Sequence, residues 1–323
     1  MKHMSKIRII ISFVMVLSLG ILPCSVANAT PITNDTREEY SVEWFDVVSK
    51  NTITGETTTE SFNTSLTTTA KNSGITVLST PAHNGTDDNF ESCSTQLQGG
   101  TDPDSVIGTD TRYQITNTTQ GVYKRICSIT AYWSNGSGGY TKSYGTGFLE
   151  GPSAVVTAGH VIYNSTKGGW CHHAEVCFAR NGSTKPYGTQ SSTTIHTSQA
   201  WINSSDSNQD WAVIEIDDDI GNTTGWFGKL WTSNSLNGTS ISVTGYPGDK
   251  TPNFSMWRGN GYIVESLSAR LGHDADTAAG ESGAAILNSS NQALGIHTGG
   301  TSTENYGTRI TEWLYNYLEQ FRP

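Results

Sequence analysis

The sequence predicts an all-β fold that ends in a single helix. It has 323 residues, 35% of them apolar and 15% charged, which is enough for the core of one large β domain or two small ones. Gly, Ser, Thr and Asn are abundant and long aliphatic runs are few, a balance that favours short strands and tight turns over helix bundles. Short apolar runs bounded by turn-forming residues predict strands at 126–132, 147–149, 155–157, 211–216, 240–245 and 293–297.

The predicted helix lies at the C-terminus, where apolar residues recur at spacings of three and four. This spacing places them on one face of a helix. They are Ile310, Trp313, Leu314, Tyr317, Leu318 and Phe321. We expect this face to pack against the β body rather than to bind a ligand, because a helix buries a stripe of this width routinely.

The first 29 residues are organised like a signal peptide. Basic residues precede an apolar run at 9–22, and the small residues at 27–29 suit a signal peptidase. The alternative is an uncleaved membrane anchor, but the apolar run is shorter than the roughly 20 residues that a membrane-spanning helix needs. We predict that residues 1–29 are removed and that the protein is secreted, with an extracellular location.

Export sets the expected state of the cysteines. Of the five cysteines, signal-peptide removal takes away Cys24 and leaves Cys93, Cys127, Cys171 and Cys177. Thiols in an exported protein tend to form disulfides, and we predict the local pair Cys171–Cys177. The adjacent His172 and His173 suggest zinc as an alternative, but the spacing fits no common zinc motif, so we expect no metal there.

The charge of the chain restricts its partners. A formal net charge of −10 keeps the protein in solution and argues against nucleic acid or anionic lipid as the main partner. Beyond the signal peptide, no stretch is apolar enough to cross a membrane. We therefore expect a monomer with no nucleic-acid partner and no membrane attachment.

One serine lies in a setting that suits nucleophilic catalysis. Gly280, Glu281, Ser282 and Gly283 follow one another, and glycines allow a tight backbone turn that points N–H groups at one spot. We predict Ser282 as the nucleophile and the amides of Gly280 and Ser282 as the oxyanion hole. A Gly-rich hairpin turn is the alternative explanation of this short pattern.

A base and an acid for this serine are found on two predicted strands. His160 follows the apolar run 155–157 and two small residues, which leave room for its ring to reach a neighbour. Asp210 directly precedes the run 211–216, where it can be buried beside a histidine.

Other acids compete with Asp210. Asp206 and the cluster Asp217, Asp218 and Asp219 lie close in sequence, but the cluster is typical of a solvated turn. The chain order His160, Asp210, Ser282 is that of chymotrypsin and differs from the orders of α/β-hydrolases and subtilisins. The sequence thus predicts a chymotrypsin-like double β-barrel.

With these residues in view, the chain from residue 105 to about residue 320 resembles the bacterial glutamyl endopeptidases, a family of trypsin-like serine proteases. The bacillary members are the most similar, and the staphylococcal enzymes and exfoliative toxins are more distant. The motifs that carry the resemblance are 105–110 (SVIGTD), 115–119 (ITNTT), 157–160 (TAGH), 186–188 (PYG), 220–223 (IGNT), 245–250 (GYPGDK) and 307–311 (GTRIT).

The resemblance implies a serine endopeptidase that cleaves polypeptides after acidic residues, preferably glutamate. By this resemblance Thr277 and His297 contact the substrate carboxylate, which a hydroxyl and an imidazole can bind without an arginine. Thr298, Gly299 and Gly300 then form the wall that accepts the substrate backbone.

The resemblance also implies a zymogen. Residues 30–104, which are rich in Thr, Asn, Ser and Asp, become a propeptide, and 105–323 becomes the protease domain. The α-amino group released near Ser105 or Val106 then helps to form the acidic-specificity pocket. Asp104 is a plausible cut site for self-processing, which would discard Cys93 with the propeptide and leave Cys127 without an obvious partner.

Three features depart from the family pattern. Val161 replaces a cysteine, Ala284 and Ala285 replace a usual Ser-Pro pair, and Glu281 replaces an uncharged residue. In trypsin-like zymogens a carboxylate before the nucleophile captures the freed α-amino group, so one expectation is that Glu281 pairs with the amine of Ser105. The other expectation is that Glu281 faces solvent.

Two other functions stay open at this point. A protease of the same fold with a non-acidic specificity keeps the three catalytic residues without the acidic pocket. An adhesin or toxin-like binding protein would use the double barrel as an inert scaffold. No cofactor is required by the chemistry, whereas a structural calcium ion is compatible with the many Asp and Asn residues.

Overall fold

A computed structural model describes residues 44–63, 77–86 and 106–323. The predicted signal peptide, Cys93 and Ser105 lie outside these residues. Within them the chain forms 19 strands and four short helices. The predicted all-β double barrel with a C-terminal helix is confirmed, and each of the six predicted apolar runs lies in or overlaps an observed strand.

The secondary structure elements follow one another along the chain. The strands are β1 (Trp44–Asn51), β2 (Thr57–Asn63), β3 (Val77–Thr80), β4 (Tyr113–Ile115), β5 (Ile126–Ser134), β6 (Tyr140–Leu149), β7 (Ala154–Thr157), β8 (Tyr163–Asn164), β9 (Gly169–Trp170), β10 (His173–Phe178), β11 (Gln190–Ser198), β12 (Ala212–Ile216), β13 (Gly228–Thr232), β14 (Ser240–Gly245), β15 (Met256–Ser266), β16 (Arg270–His273), β17 (Ala285–Asn288), β18 (Gln292–Gly300) and β19 (Asn305–Arg309). The helices are α1 (Gly159–Ile162), α2 (Gln199–Ser204), α3 (Gly221–Thr224) and α4 (Glu312–Glu319).

Two closed six-stranded barrels make up the body of the protein. In the first, the strand order is β10-β5-β6-β7-β12-β11, and pairing of β10 with β11 closes the sheet. In the second, the order is β17-β14-β15-β16-β19-β18, and pairing of β17 with β18 closes it. Closure leaves no free edge within either barrel, so the inward-facing side chains form a core.

Strands from the predicted propeptide join both sheets. The hairpin of β1 and β2 pairs with β11, from Val47 opposite Ser198 to Asn51 opposite Thr194. Strand β3 pairs with β13, which in turn pairs with β18 of the second barrel. Residues 44–63 and 77–86 therefore extend the two sheets by strand addition, although their composition differs from that of the protease domain.

Side chains as well as backbone bonds hold the hairpin in place. Val47 and Val48 are buried, and the ring of Phe45 stacks on Trp313 with centroids 4.6 Å apart. Phe62 meets Tyr317 edge to face at 5.4 Å. The hairpin thus packs on the same helix that ends the chain.

Helix α4 confirms the prediction from apolar spacing. Its N-terminus is capped by Thr311, whose side-chain oxygen accepts a hydrogen bond from the amide of Leu314. Its buried side chains are Trp313, Leu314, Tyr315, Tyr317 and Leu318. The helix covers the first barrel, where Trp313 also meets Trp211 edge to face.

The predicted disulfide is wrong. Cys171 and Cys177 are both free and buried, as is Cys127. Strand β10 begins at His173, so extended backbone at ~3.3 Å per residue separates the two cysteines by more than ~10 Å. A disulfide requires α-carbons within about 7 Å, which an extended strand between the partners does not allow.

None of the helices among the described residues is long and apolar enough to cross a membrane.

Candidate active site

His160 and Asp210 are brought together by two adjacent strands. Strand β7 pairs with β12, with Thr157 opposite Ala212. His160 lies just beyond the end of β7, on helix α1, and Asp210 lies just before β12, so both residues leave the sheet at the same end. A β-carbon on Gly159 would lie 3.0 Å from Asp210 Oδ1, which explains why a glycine precedes the histidine.

The carboxylate of Asp210 accepts two hydrogen bonds from His160. The backbone amide of His160 donates to Oδ1 and its ring Nδ1 donates to Oδ2, each at 2.8 Å. Because a carboxylate accepts only, Nδ1 carries the ring proton and Nε2 keeps its lone pair. Burial lowers the pKa of His160, but the charge of Asp210 and its hydrogen bond outweigh burial and raise the pKa above 6.5.

The competing acids have a different environment. Asp217, Asp218 and Asp219 are exposed, as the sequence predicted for a solvated turn. Asp206 accepts a hydrogen bond from the amide of Asn208 and caps a short 3₁₀ turn. The structure therefore places Asp210, and none of these four acids, against His160.

Ser282 lies where the two barrels meet. Its carbonyl oxygen accepts a hydrogen bond from the amide of Thr146 in β6, at 2.9 Å. The next residue, Gly283, approaches the end of β7 so closely that a β-carbon would lie 2.1 Å from Thr157 Oγ1 and 3.0 Å from the amide of Ala158. This close approach brings residues 276–283 of the second barrel, which we call the serine loop, to the strand that leads into His160.

The backbone amides of Gly280 and Ser282 lie in a glycine-containing turn of the serine loop. Gly280 and Gly283 have positive φ angles of 101° and 93°, a conformation that favours glycine. The amide of Glu281 donates to Ala278 O and that of Gly283 to His297 O. Those of Gly280 and Ser282, in contrast, have no partner among the described residues. The two residues predicted to form an oxyanion hole therefore offer free N–H groups.

A cleft of about 570 Å³ runs beside these residues. His160 and Gly280 line it together with residues of both barrels, including Tyr144, Tyr246 and Phe254. The segments 44–63 and 77–86 contribute none of its lining. The strands that precede the protease domain therefore lie away from the cleft.

Thr277 and His297 are both buried near the serine loop. Thr277 is fully buried and its hydroxyl has no hydrogen-bond partner in the described part of the chain. His297, on β18, exchanges backbone hydrogen bonds with Gly283 and Ala284 at 2.7 and 2.8 Å. Burial, followed by the neighbouring His273 and His160, holds the pKa of His297 well below 6.5. The unpaired buried hydroxyl of Thr277 and the neutral imidazole of His297 each suit an external hydrogen-bonding group.

His273 is a residue that the sequence analysis missed. It is fully buried on β16, and its Nε2 lies 3.3 Å from His297 Nδ1. Burial lowers its pKa to about 4, so it is neutral at physiological pH. In the sequence it is one of eight histidines and has no distinctive local pattern, so nothing there could have singled it out.

The remaining residues predicted to bind substrate differ in exposure, and one of them lies outside the described residues. Thr298, Gly299 and Gly300 end β18 and are partly exposed, as a backbone-accepting wall requires. Val106 is partly exposed, while Ser105 lies outside the described residues. The nearby amide of Ile107 donates to Asp276, next to Thr277, at 2.8 Å. The start of the predicted protease domain thus contacts the loop that carries Thr277.

Glu281 does not face solvent, so that expectation is wrong. Its side chain is fully buried and accepts a hydrogen bond from the amide of Ala278 at 2.8 Å. Its Oε2 lies 3.4 Å from Nη1 of Arg112, a buried arginine that the sequence analysis did not single out. The predicted partner, the amine of Ser105, lies outside the described residues.

Within the described ranges, no three His, Cys, Asp or Glu residues are placed so that they could hold a metal ion. The predicted absence of a cofactor and the compatibility with structural calcium stay predictions.

Comparison with known proteins identifies the family of this chain. The model of the trypsin-like peptidase domain matches residues 145–296. The glutamyl endopeptidase of Bacillus licheniformis is 38% identical over 229 residues, which is 68% of this chain and 69% of that protein. A Bacillus subtilis protein named extracellular metalloprotease is 38% identical over 223 residues, 67% of this chain and 69% of its own length.

A glutamyl endopeptidase of Staphylococcus epidermidis is 30% identical over 227 residues, 68% of this chain and 76% of that protein. Among solved structures, a Glu endopeptidase in complex with MPD is similar at 32% identity with a TM-score of 0.59, covering 67% of this chain and 98% of that one. The chain therefore belongs to the glutamyl endopeptidase family of trypsin-like serine peptidases, and it is a serine endopeptidase.

Proposed function

We propose that this serine endopeptidase cleaves polypeptides after glutamate, with Ser282 as nucleophile, His160 as general base and Asp210 as the acid that orients the base. The observation that carries the proposal is the double hydrogen bond from His160 to Asp210. It fixes both the position of the imidazole and its tautomer, and it leaves Nε2 as the atom that can accept a proton.

The chemistry follows from this arrangement. His160 Nε2 takes the proton of the Ser282 hydroxyl as the oxygen attacks the scissile carbonyl, and the imidazolium then gives that proton to the leaving amine. The negative charge on Asp210 stabilises the imidazolium, in line with the raised pKa of His160. Water, deprotonated by His160, then hydrolyses the acyl-enzyme and releases Ser282.

The free amides of Gly280 and Ser282 supply the electrostatic part of catalysis. Oxygen acquires negative charge in the tetrahedral intermediate, and two fixed N–H groups stabilise that charge without rearrangement of the protein. The positive φ of Gly280 supports this role, because it sets the direction of the peptide plane at this position.

Preference for an acidic side chain is proposed from Thr277 and His297. The unpaired Thr277 hydroxyl can donate to a carboxylate oxygen and so gain the hydrogen bond that it lacks in the free protein. His297 can donate from Nε2 if Nδ1 accepts from His273 Nε2, 3.3 Å away. A neutral donor pair of this kind binds a carboxylate without the cost of an uncompensated buried cation.

We also propose that the chain is exported and processed. The signal-peptide pattern at residues 1–29 and the family relationship support secretion, and the change of composition near residue 105 supports release of residues 30–104. Mass spectrometry of the secreted protein tests this. A mature N-terminus at Thr30 would overturn the propeptide assignment.

Two experiments test the activity and the preference. A mixed peptide library digested with the purified protein should show cuts after Glu, with cuts after Asp next in frequency. Ser282→Ala should abolish both this cleavage and labelling by a fluorophosphonate, whereas Ser290→Ala, on an exposed turn, should change neither. Cleavage without acidic preference would favour the protease of different specificity. Full labelling of Ser282→Ala would overturn the nucleophile assignment, and inactivity of the wild-type protein would favour the inert binding protein.

A further inference from the structure

The segment that opens the protease domain is attached to both ends of the serine loop. At one end, Asp276 is almost fully buried, and it accepts hydrogen bonds from the amide of Ile107 and from both the amide and the hydroxyl of Thr111, at 2.7–2.8 Å. At the other end, the guanidinium of Arg112 lies against Glu281. Residues 107–112 therefore span the loop 276–281, which contains Thr277 and Gly280.

Arg112 is the centre of a buried charge cluster. Its guanidinium donates to Asp110 at 2.9 Å and to Asp249 at 2.5 Å, and Lys250 Nζ donates to Asp110 at 2.6 Å. Arg112 itself is 1% exposed and Glu281 is fully buried. These side chains thus lie against one another with little access to water, where electrostatic interactions are strong.

Arg112 sets the balance of positive and negative groups around Glu281. Two cations, Arg112 and Lys250, face two acids, Asp110 and Asp249, so Glu281 is a third acid in the cluster. Without Arg112, three carboxyl groups would face one lysine. Burial raises the pKa of Glu281 to about 8, whereas the charge of Arg112 acts in the opposite direction. Without Arg112 the effect of burial would be opposed less, so the pKa of Glu281 would rise further and the contact between the two side chains would be lost.

The position of Glu281 links this cluster to the oxyanion hole. Glu281 lies between Gly280 and Ser282, and its Oε2 accepts the amide of Ala278, so its side chain closes the turn that directs the two free amides. A displaced Glu281 side chain would move both amides together. Loss of fixed donor geometry affects the transition state more than substrate binding.

We propose that Arg112 is a positioning residue of the oxyanion hole. It supplies, from within the folded chain, a buried positive charge beside the carboxyl group that precedes the nucleophile. The inference deepens the proposed function and rests on it, because it assigns a role at the site of Ser282.

The test is a double-mutant cycle on the purified full protein, with the library peptide that the wild type cleaves fastest as substrate. Arg112→Gln should lower kcat per titrated active site by roughly 10- to 100-fold with less than a threefold change in KM. Arg112→Gln/Glu281→Gln should recover at least tenfold of that loss, because it removes the unpaired acid together with the arginine. Arg112→Lys, which keeps the charge, should retain more kcat than Arg112→Gln.

Arg309→Gln is the matched control, since Arg309 is also buried but its guanidinium donates to the carbonyls of Thr232 and Asn234, which lie outside the serine loop and the cleft. It should lower stability while kcat per titrated site stays at the wild-type value. The proposal is overturned if the double variant is no more active than Arg112→Gln. It is also overturned if Arg112→Gln, like the control, only lowers the fraction of titratable active sites and leaves kcat per titrated site unchanged. If Arg112→Gln does not fold, a loss of roughly 100-fold in kcat per site in Arg112→Lys would overturn the proposal, since this variant keeps the positive charge. A wild-type protein that cleaves no peptide would instead refute the proposed function.

Discussion

His273 and His297 face each other in the interior of the second barrel, with Nε2 of His273 3.3 Å from Nδ1 of His297. Both residues are buried. Neutral imidazoles have one donor and one acceptor each, so the contact couples the tautomers of the two rings. If His273 donates, His297 is protonated at Nε2 and can itself donate to a substrate carboxylate.

This coupling predicts the effect of replacing His273. His273→Phe removes the donor to His297, so kcat/KM for a peptide cleaved after Glu should fall by about 3- to 10-fold, the value of one hydrogen bond. Cleavage of a peptide with Gln at the same position should change less. His273→Gln, whose amide can still donate, is the control and should retain more of the preference. Equal losses on both substrates would show that His273 is only structural.

The pH profile should report the state of His160. The base must be neutral to accept the serine proton, and its pKa is raised above 6.5 because Asp210 outweighs the effect of burial. Activity is therefore lost as pH falls through that pKa, and the acid limb of kcat/KM should have its midpoint above pH 6.5. Rates with a peptide substrate between pH 5 and 9 measure this. An acid limb centred well below 6.5 would contradict the assignment.

Asp210→Asn provides a complementary measurement. The variant should lose on the order of 10⁴-fold in kcat, because the amide favours the wrong tautomer of His160. Its residual acid limb should shift to lower pH, since the charge that raises the pKa is gone. Asp217→Asn, an exposed acid after the same strand, should leave both quantities unchanged.

The barrels and the His160–Asp210 contact could be predicted because their signals are local. An apolar run that ends in small residues indicates a strand leading into His160, and a second run directly after Asp210 indicates the strand beside it. Once two such strands pair, the side chains of His160 and Asp210 lie next to each other, so no further information is needed to predict their contact. The same holds for helix α4, whose apolar spacing is visible in residues 310–321.

Arg112 could not be predicted, since only one of its acidic partners, Asp110, is close to it in sequence. Asp249 and Glu281 come from distant parts of the chain and meet it only in the fold, and an arginine in a polar stretch is ordinarily exposed. The strands before residue 105 were missed for another reason. Strand addition relies on backbone hydrogen bonds, which composition and apolar periodicity do not report.

The correction to the cysteines can be checked by alkylation. Cys127 and Cys171 are fully buried, and burial raises the pKa of Cys171 to about 12, so native thiols should not react with iodoacetamide at pH 8. After unfolding in guanidinium without reductant, Cys127, Cys171 and Cys177 should all be alkylated. Peptide mapping by mass spectrometry identifies them. A pair of these residues that reacts only after reduction would restore a disulfide.

The hairpin of β1 and β2 should stabilise the unprocessed protein. Phe45→Ala removes the ring that stacks on Trp313, which should lower the free energy of unfolding by about 1–3 kcal/mol. Denaturant titrations of the unprocessed chain, made in the Ser282→Ala background to prevent self-cleavage, measure the change. Ile53→Ala, 79% exposed in the hairpin turn, should change stability by less than about 0.5 kcal/mol. Equal effects of the two variants would argue that the hairpin does not contribute through this stack.

Glu281 should make the stability of the protein depend on pH. Its pKa is raised by burial from 4.5 to about 8 in the folded state, so between these values the unfolded state binds fewer protons than the folded state. Stability therefore falls as pH rises from about 4.5 to 8, by at most about 1.4 kcal/mol per pH unit, and levels off above 8. Glu281→Gln does not titrate, so its advantage in Tm over wild type should grow across this window. All other titrating groups are present in both proteins, so their contributions to the pH dependence cancel in the difference in Tm. Thermal melts in the Ser282→Ala background at pH 5, 6.5 and 8 measure it, and a difference that stays constant would mean that Glu281 is ionised throughout, with Arg112 outweighing burial.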